Sequence, residues 1–302
     1  MSHIRSVFSI KDLENFSGIK AHTIRIWEKR YELLHPERTD TNIRYYSLKS
    51  LKKLLNIALL NSEGHKISKI AKYDEAVFEE HLREVVNNKV NKTQFINELK
   101  IAMLNFDVLY FEEAYLRVEK VIPFSDIFKN YFIPFLGDIG LLWQTGSINP
   151  THEHFISNII KQKILIETHR LQLKKIEKHD KLFVLFLPYD EIHDLGLTYL
   201  HYEVLKLGYK SIMLGPSVPI DSLKSFVNDN QEVNFISYFT VEPPLDKIPE
   251  YLTEFETKIL EDKNANFYVL GKQITNLDTS ISMPKRIKFF SSIDDIMEFL
   301  EE

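Results

Sequence analysis

Residues Leu182–Gly196, LFVLFLPYDEIHDLG, decide the fold. From Leu182 to Pro188 six of seven residues are apolar or aromatic, which predicts a strand covered on both faces, as in a parallel sheet. Pro188 ends the run and Glu191-x-His193-x-x-Gly196 follows, so a polar cluster lies just past the carboxyl end of that strand. Open α/β sheets bind ligands there. An imidazole in that place is a candidate metal ligand, and a carboxylate two residues earlier can hold its other ring nitrogen, fixing tautomer and orientation. Gly196 is expected to let a bulky ligand approach the backbone where the next helix begins.

Downstream, strand-like runs recur at 210–215, 233–240, 266–271 and 286–290. Helical stretches near 193–207, 219–228, 246–261 and 292–301 separate them, and this alternation predicts a doubly wound parallel sheet over residues 179–302. Gly215, Ser237 and Gly271 fall at strand ends on the edge that carries His193, and would rim one crevice with it.

Upstream, residues 76–178 hold a helical, solvated connection at about 74–92 and then four helical patterns at about 93–103, 107–119, 124–143 and 150–176. Short links punctuate them, which predicts an up-and-down four-helix bundle. If Trp143 ends one helix and Glu153-His154 opens the next, all three lie at one end of the bundle. Taken singly, Trp143 suits a core or interface position, and His152 and His154 suit the surface.

Residues 1–75 read as a separate head. Ser9-Ile-Lys-Asp12 caps a short helix to about Phe16, Ser17-Gly18-Ile19 turns, and His22–Tyr31 forms a second helix. Ile24, Trp27 and Tyr31 share its inner face, leaving His22, Thr23, Arg25 and Lys29 to enter a major groove. Pro36, Asp40 and Asn42 then suit a two-stranded wing, with Arg38 at its tip and Arg44 and Tyr45 on the return strand, all placed for phosphate contact. Ser47 starts a helix that runs to about Ser62.

The 302-residue chain has no cysteine, which excludes disulfides, thiolate metal sites and cysteine nucleophiles. It shows no G-x-S-x-G or phosphate-loop pattern, and a non-enzymatic role is expected. The start MSHIRSVFS lacks an apolar signal segment and no run reaches membrane-spanning length, so a cytoplasmic protein is expected, with no membrane partner. Net charge is −5. Residues 1–75 carry 14 Lys and Arg against 9 Asp and Glu, so a basic head sits on an acidic body and the head alone suits a polyanion.

The order helix, turn, T-I-R-x-W-E-K-R-Y, Pro-led wing, I-R-Y-Y-S and long helix resembles the winged helix-turn-helix DNA-binding domain of the MerR family over roughly residues 7–73. Behind it, Trp143-x9-Glu153-His154, Glu191-x-His193-x-x-Gly196 and a small-residue rim ending in Gly271 resemble a cobalamin-binding module, a helical bundle followed by a Rossmann-like domain. Together they are similar to the light-sensing, adenosylcobalamin-dependent repressors of the CarH/LitR type over nearly the whole chain. The resemblance implies a multidomain protein that binds double-stranded operator DNA as a homo-oligomer, dimer or tetramer, and holds adenosylcobalamin. His193 would be the lower axial cobalt ligand and Glu191 its orienting partner. Trp143, Glu153 and His154 would cover the upper face, and Ser237 and Gly271 would line the slot for the nucleotide tail. Cleavage of the light-sensitive cobalt–carbon bond would dismantle the DNA-bound form.

Several positions depart from the pattern. Phe239 stands where the S-x-L element has leucine, Lys272 where a second glycine is usual, and Glu191 where cobalamin enzymes have aspartate. Gln144 follows Trp143 where well-known members carry a histidine able to take the upper cobalt position after photolysis. Two other readings stay open: a MerR-type regulator that has lost cobalamin and senses another ligand or partner, and a corrinoid carrier subunit. The DNA-binding head argues against the carrier.

Overall fold

The computed structural model describes residues 7–88, 91–227, 231–261, 263–277 and 286–302. The end of the 74–92 connection lies partly outside the described residues. The chain packs as two compact units, Met1–Ile159 and Ile160–Glu302. The sequence pattern sets boundaries at 75 and 178, whereas packing sets one inside a single long helix.

In the first unit, strand β1 (Val7–Phe8) leads into helix α1 (Ile10–Ser17). The Ser9 side chain accepts the Asp12 N–H while the Asp12 carboxylate accepts the Ser9 N–H, a reciprocal cap. Gly18 ends α1 in the left-handed region, and α2 (Ala21–Tyr31) follows. Ile24 and Trp27 are buried and Tyr31 is half-buried. The wing pairs β2 (Glu37–Arg38) with β3 (Arg44–Ser47), and β3 also pairs with β1, so Phe8 lies opposite Tyr46. The two-residue strand β1 is too short to carry a periodicity that a sequence can reveal.

Helices α3 (Leu48–Ser62), α4 (Ile67–Ile70) and α5 (Glu75–Asn88) connect the head to α6 (Lys92–Asn105) and α7 (Val108–Glu119). The pattern expected over 124–143 is α8 (Phe124–Ile127), a π-turn at Phe128–Phe132 and α9 (Ile133–Gln144). Pro134 sits in the first turn of α9 and lacks a backbone N–H, which suits the break in regular helix there. Helix α10 (Pro150–Gln172) closes the series and crosses into the second unit. Head and bundle pack as one body: Asn15 donates to the Ser147 hydroxyl at 2.9 Å, and the Lys52 ammonium lies 5.5 Å from the Tyr110 ring centre.

The second unit is a parallel sheet of β4 (Lys178–Phe186), β5 (Tyr209–Gly215), β6 (Glu232–Tyr238), β7 (Ala265–Leu270) and β8 (Ile287–Phe289), in the order β5-β4-β6-β7-β8. Helix α11 (Leu195–Lys206) follows β4, α12 (Ile248–Phe255) runs into a π-turn before β7, α13 (Lys272–Thr275) follows β7, and α14 (Ile293–Glu301) ends the chain. In place of the helix expected at 219–228, Ile220–Phe226 forms a tighter 3-10 turn. Strand β4 is covered on both faces, as its continuous apolar run requires. Leu182, Val184 and Phe186 enter one core with Phe235, Phe255 and Phe267, while Phe183, Leu185 and Leu187 enter the other with Leu197, Leu200 and Ile296. Each such side chain contributes ~1.5–3 kcal/mol on burial. The strand order reverses direction of growth at β4 and β6, and that switch point is where such sheets open a ligand crevice.

Candidate functional site

The loop after β4 is fastened before it reaches His193. Leu187 N–H donates to Gly215 O at 2.9 Å, Val218 N–H to Leu187 O at 3.0 Å, and Asp190 N–H to the Ser217 hydroxyl at 3.1 Å. Glu191 N–H closes a turn onto Pro188 O at 3.1 Å. The Glu191 side chain is thereby turned inward, 0% exposed, at the β4–β6 switch point.

Its carboxylate gathers donors from two loops. Oε1 accepts the N–H groups of Ile192 and His193, both at 2.9 Å, and the His193 ring at 2.6 Å. Oε2 accepts the N–H groups of Thr240, Val241 and Glu242 at 3.2, 2.7 and 2.9 Å. Burial opposes the charge, but the hydrogen bonds from Val241, Glu242 and His193 outweigh it and hold the carboxyl at about 2. An ionised acceptor on Nδ1 keeps the ring proton there and leaves the Nε2 lone pair free for a metal. The His193 side chain is 53% exposed, so that nitrogen is reachable. Just beyond it, Asp194 takes the Lys161 ammonium of α10 at 2.5 Å, holding the first turn of α11.

The rim residues have structural duties of their own. Ser237 is buried and donates to Phe186 O at 2.9 Å. At Gly271, φ is +112° and a Cβ would meet the Phe239 carbonyl oxygen at 2.3 Å, so only glycine fits under that crossing backbone. At Gly196 a Cβ would meet the Tyr238 ring at 3.0–3.3 Å. The aromatic ring of Tyr238, one residue after Ser237, packs against the Gly196 backbone. Lys272 is exposed at the start of α13.

Trp143 lies in the last turn of α9 and is 56% exposed, not a core residue. The link 145–149 leads to the first turn of α10, where Glu153 pairs with His154 at 2.8 Å and accepts the Ser157 hydroxyl at 2.7 Å. His152 is buried rather than on the surface, stacked on Phe106 at 4.9 Å and bonded to Asn149 at 2.6 Å.

On the head, His22, Arg25 and Lys29 are exposed and Thr23 half-exposed on the outer side of α2. Arg38 is tied across the wing to the Asn42 side chain at 2.7 Å. Arg44 approaches the Glu28 carboxylate at 3.4 Å, and that carboxylate also accepts the Tyr46 hydroxyl. Tyr45 lies opposite Glu37 in the wing. Sequence reasoning overlooked the link of Glu191 to residues 240–242, the Lys161–Asp194 pair and the exposed Ile26.

Residues 8–77 match the family described as MerR HTH family regulatory protein, and residues 95–166 match the B12 binding domain. The HTH-type transcriptional repressor CarH of Myxococcus xanthus is 25% identical over 222 residues, 72% of this chain and 73% of that protein. The HTH-type transcriptional repressor CarA of the same organism is 24% identical over 217 residues, 71% and 70% of the two chains. A solved monomethylamine corrinoid protein of Methanosarcina barkeri superposes with a TM-score of 0.57 at 13% identity, over 70% of this chain and 98% of that one, a likeness of fold alone. Among the described residues no helix is long and apolar enough to cross a membrane. The chain thus joins a MerR-type helix-turn-helix domain to a B12-binding domain, and it is similar to transcriptional repressors of the CarH type.

Proposed function

We propose that this chain is a non-enzymatic, cytoplasmic transcriptional repressor whose homo-oligomeric state and operator affinity are set by adenosylcobalamin and light. One observation carries the sensing half: an exposed imidazole at the switch point of a parallel sheet, with its Nδ1 proton held by a carboxylate that stays ionised to about pH 2. That donor set fits a corrinoid: His193 Nε2 would hold the cobalt and Glu191 would fix the tautomer of the ring. When bound, adenosylcobalamin supplies a cobalt–carbon bond that light cleaves.

The chain's own residues divide the remaining work. Trp143, Glu153 and His154 would shield the bound group. Ser237 and Gly271 would line the slot for the nucleotide tail, with Gly196 and Gly215 on the rim around His193. Gln144 offers no imidazole beside Trp143 that would serve as a second ligand. On the head, His22, Thr23, Arg25 and Lys29 face the major groove, while Arg38, Arg44 and Tyr45 meet phosphates beside it. Two heads related by a twofold axis match a palindromic operator.

The test is the visible spectrum of protein mixed with adenosylcobalamin in the dark and desalted, for wild type and His193→Ala, before and after green light. Retained corrinoid, a lower-ligand band that His193→Ala shifts, and a light-dependent change support the reading. Loss of all corrinoid on desalting removes the sensing half and leaves a DNA-binding protein with another signal.

A further inference from the structure

The outer side of α2 carries a side chain that its charged neighbours do not explain. Ile26 is 51% exposed. At 3.6 residues per turn it falls between His22, one turn before, and Lys29 and Arg30, one turn after, with Arg25 beside it. All four of these neighbours are exposed. The opposite side of the helix is accounted for by buried Ile24 and Trp27. A large branched hydrocarbon at the centre of a cationic face gains nothing from water, and it is not buried within its own chain.

The charges around it say what covers it. Arg25, Lys29 and Arg30 form a surface for a polyanion, on the second helix of a helix-turn-helix, the element that enters the major groove. Within that groove arginine and lysine recognise guanine acceptors and phosphates. Thymine differs from cytosine there in part by a C5-methyl group, which an apolar contact reads. We infer that Ile26 is a specificity-determining residue, packing on thymine methyl groups at positions the neighbouring cations cannot distinguish. The inference rests on the DNA-binding reading above and adds a base preference to it.

A duplex selected from a random library by the full-length protein provides the probe. Each thymine is replaced in turn by deoxyuridine, which removes the methyl and leaves every hydrogen-bonding group. For wild type, at least one replacement is expected to weaken binding about fourfold, roughly the worth of one methyl-sized group withdrawn from contact. For Ile26→Ala the same replacement should have no effect, with the thymine duplex already bound as weakly as wild type binds the uracil one. Unchanged thermal unfolding of Ile26→Ala shows that the loss is not one of folding. Enrichment of a duplex with no uracil effect, or with equal uracil effects in both proteins, overturns the assignment of Ile26 alone. Failure to enrich any duplex overturns the DNA-binding reading and takes this inference with it.

Discussion

Glu191 Oε1 stands 2.6 Å from His193 Nδ1, and the same carboxylate, through Oε2, stands 2.7 Å from Val241 N. One buried anion therefore both aims the imidazole and joins the loops that follow β4 and β6. Removing its charge should disturb ring and fold together. Glu191→Gln can still accept through one oxygen but brings two donors into a ring of donors, and is expected to cost about 2 kcal/mol in urea unfolding. It should also weaken corrinoid retention. His193→Ala removes one of six hydrogen bonds to that carboxylate, and should cost about 1 kcal/mol, less than Glu191→Gln, while abolishing the lower-ligand band.

The same carboxyl sets a pH dependence. Its folded pKa, about 2, lies below its ordinary value of 4.5. The stabilisation is present above the ordinary value and lost as pH falls toward 2, with a ceiling of about 3 kcal/mol. The stability difference between wild type and Glu191→Gln should therefore be constant from pH 7 to about 5 and shrink below that, as followed by urea titrations at each pH.

Two glycines that look alike in sequence should respond differently to alanine. Gly271→Ala places a Cβ on the Phe239 backbone at a positive φ, and a loss of about 3 kcal/mol or failure to fold is expected. Gly196→Ala meets only the rim of the Tyr238 ring and gains helix propensity in α11. Its stability should change by less than about 1 kcal/mol. Thermal melts of the two variants compare them directly.

Arg25 and Arg44 should separate in the same way. Arg25 is exposed, and Arg25→Ala should reduce operator affinity about tenfold with no loss of stability. Arg44 is partly held by Glu28, which also holds Tyr46. Arg44→Ala should lower both affinity and stability, the latter by about 1 kcal/mol, in gel-shift and unfolding measurements.

Where the sequence carried period and punctuation, the fold could be read from it. The six apolar residues before Pro188 fill two cores by alternation, and the Ser9 and Ser47 caps start the helices expected of them. What escaped depends on partners far along the chain. The bond from Glu191 to Val241 spans 50 positions, and no local signal marks Val241 as a donor. The packing of the Tyr238 ring on Gly196 joins β6 to α11 and leaves no local mark in the sequence. The π-turn at Phe128–Phe132 leaves the apolar pattern nearly helical, so periodicity alone passed over it. Ile26 carries no signal of its own in the sequence, because its exposure depends on how the helix packs.

The short motif around His193 is consequently not a portable part. Three of the five backbone N–H groups that fasten Glu191 come from residues 240–242. Grafting Glu191 through Gly196 onto another strand-to-helix loop would transplant the imidazole and leave behind most of what steers it. Conversely, an insertion or shortening at 240–242, far from His193 in sequence, would re-aim the ring without touching a single letter of the motif.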